Sequence, residues 1–216
     1  RKGKPSKDPK TWLTYEQEMR THDVPEWYIW SASQIKYMFP KAHAAAYVIM
    51  AMRIAWFKVH KPLLFYSGFF SKRATQFDYE MMVAGPNAIY NRLTELQTQY
   101  NLKPKEEALN TTLGAALEMT KRGFSFLPVN IHLSEASTFK MEDKGLRMPF
   151  TSIDGLGAQV AIDIVAKRAQ NEFTTRDDVK KRTKINKTVF EKMETYGAFK
   201  DLISENRVIE SGLFAL

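Results

Sequence analysis

Lys41, His43 and Tyr47 are of the types that can hold a triphosphate and a base: a full positive charge, a ring that donates hydrogen bonds and a flat ring. His43 and Tyr47 are four residues apart, so on a helix they project from one face. Phe39 would stand at the mouth of that face. Pro40 suits the first position of such a helix, because it lacks the N–H that would go unpaired there. The amides of Lys41, Ala42 and His43 would then point outward and add to the positive end of the helix dipole, where an anion binds. The same residues also fit a buried apolar helix, in which Ala44, Ala45, Ala46 and Ala51 allow close packing and His43 is a satisfied core histidine. Spacing alone leaves both readings open.

A second constellation lies near the C-terminus. Ile153 to Arg168 reads IDGLGAQVAIDIVAKR, a tight turn carrying Gly155 and Gly157 that runs straight into a helix. Glycine serves where the backbone takes positive φ, and where nothing may stand between its N–H groups and a phosphate. The form returns further along: Leu156, Gly157 and Val160 correspond to Ile185, Asn186 and Val189. Asparagine is the next best residue after glycine for a left-handed backbone, and Lys184 and Lys187 flank it. Between positions 167 and 200 ten Lys or Arg face five acids. Two such helix-hairpin-helix units would grip the phosphates of both duplex strands without reading sequence. The alternative is a tight turn between packed helices, and a second hairpin that packs and does not grip.

Other chemistries find no support in the spacing. The histidines at 22, 43, 60 and 132 show no metal-ligand pattern. Asp177 and Asp178 read as a helix-start or solvated pair, and there is no P-loop, dinucleotide fingerprint or Ser/His/Asp arrangement. No catalytic or metal-binding residue is assigned.

The elements that must position these residues read as mainly α. Residues 1–123 form a helical region: Thr14 caps a helix from about Tyr15 to Thr21, Pro25 and Pro40 start two more, and Pro62 ends the long one. Leu63–Arg73, Phe77–Met82, Asn87–Tyr100 and Lys105–Arg122 follow, divided by Gly85, Pro86 and Pro104, with Gly123 as a C-terminal cap. Residues 124–150 are a connector with a small β-hairpin: Val129, Ile131 and Leu133 alternate, and Thr138–Met141 and Leu146–Met148 flank a turn. The tandem hairpins occupy 151–202 and a polar tail 203–216.

At 216 residues and 44% hydrophobic composition the chain can build a core. Lys41, Arg53 and Lys58 interrupt its most apolar run, so no membrane span is expected. The absence of cysteine excludes disulfides and thiolate-bound zinc and fits a reducing compartment. A formal net charge of +8 favours an anionic partner. The first residues carry no signal-peptide core and no Met, and the expectation is a piece of a longer product.

VPEWYIW from Val24 to Trp30, IKYMFPKAHAAAY from Ile35 to Tyr47 and FKVHKP from Phe57 to Pro62 stand in the order and spacing of one family. The chain resembles the C family of bacterial replicative DNA polymerase III alpha subunits, of the PolC type, over nearly its whole length. The resemblance implies that residues 1–123 belong to the fingers. There Lys41, His43 and Tyr47 would bind the incoming deoxynucleoside triphosphate (dNTP), with Phe39 close to it. It implies duplex binding by Gly155, Gly157, Lys184, Asn186 and Lys187. The connector leads into that part. The closing IESGLFAL is similar to a clamp-binding peptide in which Leu213 and Phe214 fill a pocket, although Glu210 stands where Gln is expected.

The implied partners are primer-template DNA, dNTP, the palm and thumb of the polymerase on the same or a separate chain, and a sliding clamp. The implied place is the cytoplasm, at the nucleoid. Mg2+ would be held by carboxylates of a palm that nothing here matches, so the segment is expected to belong to a DNA-directed DNA polymerase yet be inactive alone. Two further readings are a non-catalytic DNA-binding accessory protein with a polymerase-derived fold and an adaptor that tethers a clamp.

Overall fold

The computed structural model describes residues 8–34 and 41–203. It is mainly α, with ten α-helices and a three-stranded sheet among the described residues. The chain divides into two compact units, Arg1–Arg53 and Ile54–Leu216.

In the first unit α1 (Pro9–Thr21) starts earlier than the sequence suggests. Its cap is Asp8, whose Oδ1 accepts from the Thr11 amide at 3.1 Å, with Pro9 at the first helical position. Thr14 lies inside the helix and donates to the Lys10 carbonyl. A carboxylate followed by proline is the stronger start signal, and it displaces the expected cap at Thr14. Arg20, near the end of α1, joins Glu16 at 2.8 Å and Glu26 of α2 (Glu26–Gln34) at 2.6 Å. Ile29 is buried, whereas Trp27 and Trp30 of the same helix are exposed.

The long helix α3 (Lys41–His60) and α4 (Pro62–Lys72) are separated by Lys61 alone. A residue before proline is pushed out of the helical region, and Lys61 sits at φ −138 and ψ 60. Pro62 therefore ends one helix and begins the next. Then come α5 (Tyr79–Ala84), α6 (Pro86–Gln97) and α7 (Pro104–Lys121). Asp78 caps α5 through the Met81 amide, and Gly85, at φ +99, turns the chain into α6. Lys58 at the end of α3 pairs with Glu118 of α7 at 2.7 Å, and Arg122 donates to the Lys58 carbonyl at 3.0 Å.

The sheet has the order β1–β3–β2. β1 (Ser125–Leu127) runs parallel to β3 (Gly145–Arg147), and β2 (Lys140–Glu142) pairs with β3 as an antiparallel hairpin, with Phe126 and Met141 both opposite Leu146. A Cβ on Gly145 would collide with the Ser125 carbonyl, so close pairing of β1 and β3 depends on glycine there. The expected alternation at Val129, Ile131 and Leu133 is not a strand. Val129 and Ile131 are buried and Leu133 is exposed, on a loop whose Ile131 amide donates to the Ala198 carbonyl and whose Asn130 bonds Asp201 at 2.6 Å. Side-chain bonding from Asn130 and Ser134 satisfies the backbone that a sheet would otherwise pair.

Phe70 of α4, Phe126 of β1 and Phe139 meet at ring distances of 5.2–6.2 Å and are all buried. The same core runs on to Phe190 and Phe199, so the helices after α3, the sheet and the C-terminal helices share it. No helix among the described residues is long and apolar enough to cross a membrane.

Candidate nucleic-acid interface

A short 3-10 turn (Phe150–Ser152) leads into the first hairpin. It is anchored by the buried Phe150 and Ile153, and by amides of Phe150 and Thr151 that donate to the carbonyls of Glu135 and Ala136 at 3.0 Å. Gly155 takes φ +89, a region that other residues rarely adopt, and the Leu156 amide closes the turn on the Ile153 carbonyl at 3.1 Å. Gly157 is the N-cap of α8 (Ala158–Gln170), at φ −69 and ψ 152. The first intrahelical bond runs from Ala161 to the Gly157 carbonyl. The amides of Ala158, Gln159 and Val160 are therefore the free donors of the helix start, the arrangement that receives an anion. The turn lines a cleft of ≈ 360 Å³ whose facing wall is Thr75, Gln76 and Phe77.

Gly157 thus departs from one expectation. Its φ is negative and a Cβ there would meet nothing within 4 Å, so the fold itself does not require glycine at that position. What a side chain would obstruct is the approach of a ligand to the amides.

The second hairpin joins α9 (Arg176–Arg182) to α10 (Lys187–Thr195). Asn186 is also an N-cap, at φ −73 and ψ 162, and its side chain accepts from the Val189 amide at 2.9 Å. The repeat is structural, since the two caps share a backbone conformation. The expectation that Asn186 substitutes for glycine in a left-handed turn is not met: it caps a helix, with its own side chain occupying the Val189 amide. Asp177 and Asp178 are the acidic first turn of α9, capped by Thr175.

Much of the basic surplus has internal work. Half-buried Arg168 donates to the carbonyls of Ile131 at 3.0 Å and Ser134 at 2.7 Å, and its partial desolvation lowers its pKa below the ordinary arginine range. Arg182 lies over the Phe173 ring and donates to the carbonyls of Lys167, Glu172 and Asn171 and to Asp178. Arg176 pairs with Glu194, and Lys192 with Asp154. Lys184 is exposed, and Lys187, 91% exposed, has only a 3.9 Å approach to Glu191. The two lysines singled out by sequence are thus among those open to an external anion.

On α3, Lys41 and Tyr47 are exposed and His43 is partly so; no residue of this helix is buried. The His43 and Tyr47 rings meet edge to face at 4.5 Å, so the expected shared face is present, and the reading of His43 as a core histidine does not describe this fold. Phe39, Leu213 and Phe214 lie outside the described residues. Among the described residues no group of three or more His, Asp or Glu is placed to hold a metal ion, and no catalytic step is assigned to them. The Thr75–Phe77 wall and the Asp154–Lys192 pair carry no sequence signal, being joined to the turn only by folding.

A tight glycine turn opening one helix, with the same helix-start conformation repeated at a second, defines a helix-hairpin-helix protein, and the helix-hairpin-helix motif family matches residues 123–208. The chain is 46% identical over 209 residues to the DNA polymerase III PolC-type of Oceanobacillus iheyensis, covering 96% of this chain and 14% of that protein. It is 44% identical to that of Bacillus subtilis over 195 residues (90% of this chain, 14% of the relative) and 47% identical to that of Thermotoga maritima over 187 residues (87% and 14%). The chain belongs to the PolC-type DNA polymerase III family, and it spans about one seventh of the length of these relatives.

Proposed function

We propose that this chain is the part of a PolC-type replicative polymerase that holds primer-template duplex on its two hairpins and receives the incoming dNTP on the Lys41, His43 and Tyr47 face of α3, in the role of fingers. The observation that carries the reading is the turn from Asp154 to Gly157, where positive φ at Gly155 brings an uncluttered backbone to the free amides of α8. Phosphate oxygens of one strand would accept from those amides, and Lys184 and Lys187 would reach the backbone from the second hairpin. Such contacts position a duplex in any sequence, as a replicative enzyme requires.

On α3, Lys41 would meet the triphosphate while His43 donates to it and Tyr47 stacks against the base. Lys41 is at the helix start, where its charge adds to the dipole. Phosphoryl transfer with Mg2+ falls to the palm outside these residues. The tail would carry the clamp contact at Leu213 and Phe214, and the protein would work in the cytoplasm at the nucleoid.

Steady-state kinetics of the complete polymerase test the nucleotide face. His43→Ala and Tyr47→Ala are expected to lower kcat/KM for dNTP by roughly ten- to a hundredfold, the scale of one charge-assisted hydrogen bond. Unchanged constants in both variants would contradict the nucleotide role. The 216 residues alone are expected to extend no primer with Mg2+; robust synthesis would contradict the division of labour.

A further inference from the structure

Besides the Arg182 bonds to the end of α8, the second hairpin meets the turn of the first through α10. Lys192 of α10 donates to both the carbonyl and the carboxylate of Asp154, at 3.2 and 3.0 Å. Val189 of the same helix is buried, and its Cγ2 would be 3.4 Å from a Cβ placed on Gly155. One turn of α10 therefore backs the two residues that set the shape of the first hairpin. Asp154 is 97% exposed, so its orientation rests on Lys192 and not on burial. The start of α10 is in turn fixed by the Asn186 cap, whose side chain occupies an amide that a phosphate would otherwise use.

We propose that the second hairpin acts as a brace for the first: Lys192 is a positioning residue that holds the Asp154–Gly157 turn in the shape that binds duplex, and is not itself a phosphate ligand. This rests on the reading of that turn as a duplex-binding site. It gives the glycine-poor second repeat a reason to keep the helix start and packing of the first while lacking its turn.

Electrostatics alone and bracing predict opposite signs. Asp154 would stand close to a polyanion, so neutralising it removes a repulsion, and Asp154→Asn would tighten binding if charge were all that mattered. As half of the brace, its loss weakens binding. The experiment is duplex titration of the complete polymerase across a salt series, with dissociation constants referred to the folded, binding-competent fraction. Lys192→Met and Asp154→Asn are each expected to weaken binding about three- to tenfold with an unchanged log–log salt slope, because no phosphate contact is removed. Lys192→Arg, which can still donate to Asp154, is expected to restore affinity.

Tighter binding by Asp154→Asn, or a slope reduced by about 0.9 in Lys192→Met, would overturn the brace and make Lys192 a phosphate contact. Unchanged affinity in Lys192→Met, alongside a damaging Gly155→Val, would remove the brace and leave the duplex site standing. If Gly155→Val were itself harmless, the duplex reading would fail first.

Discussion

The two hairpins start their second helices in the same backbone conformation, yet they solve the same problem with different atoms. At Gly157 the cap has no side chain and the amides ahead of it stay open; at Asn186 the cap supplies its own acceptor at 2.9 Å. The first also has a turn that only glycine adopts easily, at φ +89, where the second has Lys184 at the corresponding position and no positive φ among its described residues. One repeat gives up local stability to keep donors available, while the other occupies its Val189 amide and presents lysines. A degenerate repeat can keep its helix start while its local contacts change: Asn186 supplies its own acceptor, and Lys184 and Lys187 stay exposed.

Substitutions that exchange these features sharpen the comparison. The largest stability effect is expected for Gly155→Val, which forces a β-branched residue into the left-handed region at a cost of about 1–2 kcal/mol. Thermal unfolding is expected to shift down by about 2–8 °C on that scale. Lys184→Val, at the corresponding position, is expected to leave the midpoint within about a degree; equal losses at both positions would mean that the hairpins do not differ in this way.

Next in size is the cap. Asn186→Ala is expected to cost about 1 kcal/mol, since the Val189 amide loses its partner. Gly157→Asn is expected to change stability by only a few tenths of a kcal/mol in the favourable direction, yet to weaken duplex binding by covering the amides. A Gly157→Asn variant that binds duplex as well as the native protein would show that those amides are not used. Smaller again, Lys184→Ala with Lys187→Ala is expected to leave the fold intact and to flatten the salt slope by about 0.9 for each phosphate that is no longer neutralised.

An effect confined to alkaline pH lies at Tyr196, just after α10. Its ring stacks on Tyr79 at 4.2 Å and its hydroxyl donates to Glu80 at 2.9 Å. Burial first, and the Glu80 bond second, push its pKa up to about 12. A raised folded value means that the neutral phenol is the form the fold favours. Its contribution is fully present below the ordinary tyrosine value near 10 and is lost as pH rises toward 12. Urea midpoints measured between those pH values are expected to fall less in Tyr196→Phe than in the native chain; identical slopes would discount the pair.

Much of the fold is legible in sequence because it rests on residues with strong local rules. Pro62, Gly85 and Gly123 mark their boundaries, and the IDGLG turn declares itself by glycine spacing. Sequence misleads where a side chain overrides the pattern. Asp8 followed by Pro9 outweighs Thr14, and Asn130 with Ser134 turns an alternating apolar run into a loop. At Asn186 tolerance of positive φ is the conspicuous property, but the capping oxygen is the feature in use. The Asp154–Lys192 pair and the Thr75–Phe77 wall are illegible in sequence, because they join segments that are distant along the chain and share neither motif nor period.

The central claim is that the first hairpin holds duplex by its backbone, without regard to sequence. It is tested most directly by titrating the complete polymerase, native and Gly155→Val, with two duplexes of unrelated sequence over a salt series. The same steep salt slope is expected for both duplexes in the native enzyme, with a roughly five- to thirtyfold weaker affinity for both in the variant, the equivalent of about 1–2 kcal/mol. Affinity that depended on the duplex sequence, or a Gly155→Val enzyme that bound as tightly as the native one, would contradict it.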